Sequence, residues 1–105
     1  MRMMLRFSIP NETGNEVIGE GRMQEILQTI MSELRPESAY FTLTDGQRGG
    51  YIFFDLQKAS DIPAVVEPLF LSMDAYIELT PVMTAEDLQQ VFPALDQLTR
   101  KYYRS

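Results

Sequence analysis

A chain of 105 residues has the size of one domain, and folding at that size buries roughly two thirds of the surface the unfolded chain exposes, enough for a core without covalent staples. It contains no cysteine and no histidine, which excludes disulfides, thiolate nucleophiles, Ser-His and Cys-His pairs, histidine haem ligation and Cys- or His-based metal sites. Fifteen acidic against nine basic side chains give a net charge of −6 and repel a phosphate backbone, so nucleic acid is not an expected partner.

Along the chain, Met3, Leu5, Phe7 and Ile9 alternate with Met4, Arg6 and Ser8, which predicts a first strand with one apolar and one mixed face, ended by Pro10. The opening MRMMLRFSIP is a short apolar run broken by Arg6, with no small-residue cleavage pattern behind it, so it reads as a strand and not as a secretory signal. No window approaches the ~20 apolar residues of a bilayer span, and the expectation is a soluble, cytoplasmic protein without a membrane partner. Residues 11–21 are polar and hold three glycines, so a loop or frayed helix start is expected there. From Arg22 the period becomes helical: Met23, Ile26, Leu27, Ile30, Met31 and Leu34 form one apolar stripe that stops before Pro36.

Ser38 to Leu56 reads as a hairpin around Asp45-Gly46, a two-residue loop that favours a type I′ turn because both central residues take positive φ. Thr44 then faces Gln47 and Tyr40 faces Tyr51. Period-two alternation puts Tyr40, Thr42, Tyr51, Phe53 and Asp55 on one face, and Ala39, Phe41, Leu43, Ile52, Phe54 and Leu56 on a wholly apolar other face. Gly49 and Gly50 leave room for a bulge or a close backbone approach.

Ser60-Asp61-Ile62-Pro63 reads as the start of a second helix, with Val65, Val66, Leu69 and Phe70 facing inward and Pro68 deleting one helical hydrogen bond. Asp74 to Val82 is the fourth strand, with Tyr76, Glu78 and Thr80 on one face and Ala75, Ile77 and Leu79 on the other. Thr84 to Asp87 resembles a capping box with Asp in place of Glu. It opens a third helix bearing Leu88, Val91, Phe92, Leu95, Leu98 and Tyr102, with a kink expected at Pro93 and with Arg100, Lys101 and Arg104 near the negative end of its dipole. The expected packing of its last turn, through Tyr102 and Tyr103, is on the core or on a second subunit.

The order is β-α-β-β-α-β with an extra C-terminal helix: a single α+β domain over residues 1–105, the ferredoxin-like split βαβ arrangement, with an antiparallel sheet of order 4-1-3-2. The first two helices are expected to cover the apolar sheet face. The opposite face collects Arg6, Tyr40, Thr42, Tyr51, Phe53, Asp55, Tyr76 and Glu78, and either carboxylate is placed to pair with Arg6. Tyr, Phe and Arg are the types enriched at interfaces, so the plainer expectation is a homodimer face; the sharper one is a small-molecule site between two such faces, which together make a barrel.

At this point the chain resembles the dimeric α/β barrel superfamily, ferredoxin-like proteins that pair sheet to sheet. More narrowly, AYFTLTDGQRGGYIFFDL and EPLFLSMDAYIELTPVMTAEDL resemble a group of small bacterial proteins known as a domain of unknown function; the likeness runs from about Arg35 to Leu88. The narrow group implies no catalytic residues. The wider superfamily includes muconolactone-isomerase-like enzymes, cofactor-independent quinone-forming monooxygenases and haem-handling proteins, the last of which call for a histidine this chain lacks.

Two functions follow. One is a homodimeric module that binds a small aromatic ligand between its sheets, or only itself. The alternative is a cofactor-free isomerase or monooxygenase acting on a small cyclic substrate, with Asp55 or Glu78 as base, Arg6 stabilising an oxyanion and tyrosines stacking on the ring. Neither requires a cofactor or metal. Arg48 to Phe54 superficially resembles an RNA-binding strand motif, but the aromatic phase is wrong, with Gly50 and Ile52 at the stacking positions. Gly46 to Gly50 is Gly-rich between two strands, the context of a turn and not of a phosphate loop.

Overall fold

The computed structural model describes residues 1–103, so Arg104 lies outside the described residues. Strand β1 (Arg2–Ile9) is followed by helices α1 (Asn11–Gly19) and α2 (Met23–Leu34), then by strands β2 (Ser38–Thr44) and β3 (Gln47–Asp55). A 3₁₀ turn (Ala59–Asp61) leads into α3 (Ile62–Met73), then β4 (Tyr76–Pro81) and α4 (Ala85–Tyr102). The four strands form one antiparallel sheet in the order β2-β3-β1-β4, the expected 4-1-3-2 read from the other edge. The architecture is α+β and consistent with the ferredoxin-like arrangement.

The hairpin has the predicted register. Thr44 stands opposite Gln47 and Tyr40 opposite Tyr51, with Asp45 at φ 54° and Gly46 at φ 77° making the two-residue turn. The glycines that follow mark a close approach and not a bulge: a Cβ on Gly50 would lie 2.3 Å from the Tyr40 carbonyl oxygen, and one on Gly49 would lie 2.1 Å from that of Phe7.

Sidedness follows the alternation. Met3, Leu5, Phe7, Ile9, Ile52 and Phe54 are buried, packed with Val17 of α1, Ile30 of α2, and Leu69 and Met73 of α3. Phe41 and Leu43 share this apolar face, and Phe41 meets Phe7 edge to face, yet both remain exposed because the helix layer does not cover that part of edge strand β2. In α3 the inward positions are Leu69 and Met73, while Val65 and Val66 are half-buried. Phe70 is exposed, contrary to its expected inward orientation.

Where a loop or frayed helix start is expected over residues 11–21, the chain forms a regular helix, α1, up to Gly19. Its only apolar side chains are Val17 and Ile18, too few for a stripe, and yet burial of Val17 and Gly14 anchors it. Pro10 precedes it, its carbonyl accepting from the Gly14 N–H at 2.9 Å, and Thr13 donates to Asp74 at 3.1 Å, tying α1 to the end of α3.

Helix α4 has the expected capping box: Thr84 Oγ1 accepts from the Asp87 N–H and Asp87 Oδ2 accepts from the Thr84 N–H, both at 3.0 Å. It does not pack on the core. No residue of α4 is buried and no other element packs substantially against it. The chain accordingly measures 60 × 28 × 21 Å with a radius of gyration of 17.9 Å, where a compact chain of this length has about 13 Å. The difference is α4, an arm about 27 Å long by helical rise.

Candidate functional site

The register places four open-face side chains in one row across the whole sheet: Tyr40 on β2, Tyr51 on β3, Arg6 on β1 and Glu78 on β4. A parallel row holds Phe53, Met4 and Thr80, and on the other side Ser8 stands opposite Tyr76. Among the described residues no helix covers this face. Tyr40 and Tyr76 are 63% and 71% exposed, whereas Tyr51 and Phe53, on the inner strand β3, are half-buried by their neighbours. An aromatic patch of this extent left to water is the kind of surface that a partner or ligand covers.

Arg6 organises the row. Its guanidinium lies 3.3 Å from Glu78, as the strand register predicts, and 2.8 Å from Asp45 at the hairpin tip. The hydrogen bond to Asp45, and after it one to Tyr51, hold the Arg6 guanidinium above its ordinary pKa, so it is a fixed cation at every pH the protein meets. The hairpin reaches Arg6 because its tip curls over β1: Thr44 donates to the Phe7 carbonyl at 2.9 Å and Ser8 donates to Gln47 at 3.0 Å, and both Thr44 and Ser8 are buried. The bare Gly49 beneath Thr44 makes that approach possible.

Asp55 does not join Arg6. It stands opposite Arg2 at the far end of β3, where its carboxylate takes the Met1 ammonium at 2.7 Å. It also lines an open groove of about 770 Å³ between α2 and α3, on the helix side of the sheet, with Leu34, Leu56, Val65 and Pro68. The predicted residues therefore divide: Arg6, Tyr40, Tyr51 and Glu78 form one row, Thr42, Phe53 and Tyr76 flank it, and Asp55 is elsewhere. Asp45 is the member that alternation misses, because a turn residue belongs to neither strand face. Its one sequence signal is an acidic turn residue beside a strand whose glycine pair, Gly49-Gly50, permits a close crossing.

Among the described residues no group of three or more potential metal ligands forms, and no helix is long and apolar enough to cross a membrane. Compared with known proteins, the chain matches no family model and no curated sequence.

Proposed function

We propose that the protein is a homodimeric binding module in which the open faces of two sheets meet, as in the dimeric α/β barrels it resembles, and that a small planar aromatic molecule binds between them. The observation that carries this reading is the row Tyr40–Tyr51–Arg6–Glu78, aromatic at one end, charged at the other, and left uncovered by the chain's own helices. A twofold dimer brings the row onto a second copy of itself, and such self-complementary pairing is the commonest route to a soluble oligomer. Tyrosines offer ring faces for stacking and hydroxyls for orientation.

Binding is placed ahead of catalysis for a specific reason. An oxyanion stabiliser has to meet developing negative charge, and two carboxylates, Asp45 and Glu78, already neutralise Arg6. A base has to sit free beside the substrate; Asp55 is held at the end of the sheet, and Glu78, the other candidate, is paired with Arg6.

The test has two halves. Phe53→Glu introduces a carboxylate in the middle of the face and is expected to lower the assembly's mass in sedimentation equilibrium; an unchanged mass contradicts the sheet-to-sheet dimer. A naphthoquinone titrated into the wild-type protein is expected to quench tyrosine fluorescence saturably, and Tyr51→Leu to abolish that saturation. Linear, unsaturated quenching of an intact dimer contradicts the ligand half and leaves self-association alone.

A further inference from the structure

Helix α4 carries a seam built for another helix. Leu88, Val91, Leu95, Leu98 and Tyr102 are spaced three, four, three and four residues apart. These are the two core positions of a coiled-coil heptad, with Phe92 beside Val91 as an exposed flanking apolar residue. All but Val91 are exposed, and Val91 is only half-buried. Pro93 falls on the opposite face of the helix, where its missing hydrogen bond and any bend leave the seam free.

We propose that α4 is an association arm whose seam is filled, antiparallel, by α4 of a second copy of this chain. The charge pattern selects both the occupant and the direction. The first turn is acidic, Glu86 and Asp87, and the last turn is basic, Arg100 and Lys101. Parallel pairing would set acid against acid and base against base; antiparallel pairing sets each acidic end against a basic one and opposes the helix dipoles. The register agrees. With Leu88 against the second copy's Leu98 and Val91 against the second copy's Leu95, Asp87 flanks the second copy's Lys101, two heptads away on the same side of the seam. The core pairs put the twofold axis at the level of residue 93, and Ala94, midway between positions 87 and 101, flanks that axis and faces its own counterpart on the side of Asp87 and Lys101.

The seam is two heptads long, at the short end for a coiled coil. It is distinct from the sheet face: α4 projects away from the domain, and antiparallel arms place their two domains at opposite ends of the helix pair. A chain with both twofold surfaces assembles beyond the dimer, with the arms joining sheet-to-sheet pairs.

Because the chain has no cysteine, single cysteines report the seam cleanly. Under mild oxidation at about ten micromolar protein, Ala94→Cys is expected to form an interchain disulfide roughly a hundredfold faster than Gln90→Cys on the outer face, since pairing raises the local thiol concentration to about millimolar. Adding Leu95→Glu should remove that advantage, and Tyr102→Cys, at the end of the seam, should not cross-link to itself. Equal rates for Ala94→Cys and Gln90→Cys overturn the seam, and self-cross-linking of Tyr102→Cys in place of Ala94→Cys overturns its direction. Repeating the trapping with Phe53→Glu separates the two interfaces: persistent Ala94→Cys trapping supports a seam independent of the sheet face, and its loss overturns that independence.

Discussion

Gly50 shows how tightly a single position can be fixed. A methyl group there would meet the Tyr40 carbonyl at 2.3 Å, and a backbone atom inside a sheet has nowhere to move. Gly50→Ala is therefore expected to cost roughly 1–3 kcal/mol in urea unfolding, the range of overpacked sites; a loss under about 0.5 kcal/mol, the range of an indifferent surface position, would contradict the close approach. The opposite error, a void, is expected at Leu5, which is 0% exposed at the centre of β1: Leu5→Ala should cost about 2–5 kcal/mol. Both positions were legible, one as a paired glycine in a strand and the other as a central alternating leucine. The Arg6–Asp45 contact was not, because alternation assigns faces but does not say how far a hairpin curls, and the curl depends on Thr44 reaching the Phe7 carbonyl.

Among the elements, α1 and α4 mark where pattern reading fails and where it holds. Helix α1 is anchored by one buried valine and a helix-to-helix hydrogen bond, neither of which leaves a period to find. Helix α4 was legible in its cap and in its stripe, and what the stripe could not reveal is that no element among the described residues packs substantially against it. The cap carries a pH dependence. Hydrogen bonds from the Thr84 backbone, and after them the Thr84 side chain, lower the Asp87 pKa below the ordinary carboxylate value. A group with a depressed folded pKa contributes stability above its unfolded pKa, and that contribution is lost as pH falls through the folded value. Acidification below the usual Asp range should thus unwind part of α4, read by circular dichroism at 222 nm, and Asp87→Ala should lower helicity already at neutral pH and flatten the acid step. An acid step of unchanged size in Asp87→Ala would assign it to other carboxylates. Thr84→Ala should destabilise the helix by about 1 kcal/mol, the usual worth of an N-cap.

At the scale of the molecule, the two faces follow from turn chemistry and alternation: Asp45-Gly46 fixes the β2–β3 register and period two assigns the sides, while the sheet order follows from the split βαβ arrangement of the elements. None of the described helices covers the tyrosine-bearing face. A second copy is proposed to cover it, and the arm must be silenced to isolate that contact. Leu95→Glu removes the seam while leaving the sheet face intact. Sedimentation equilibrium of that variant at micromolar concentration is predicted to give about twice the 12.1 kDa chain mass, falling to one chain when Phe53→Glu is added; a single-chain mass for Leu95→Glu alone would contradict the sheet-to-sheet dimer.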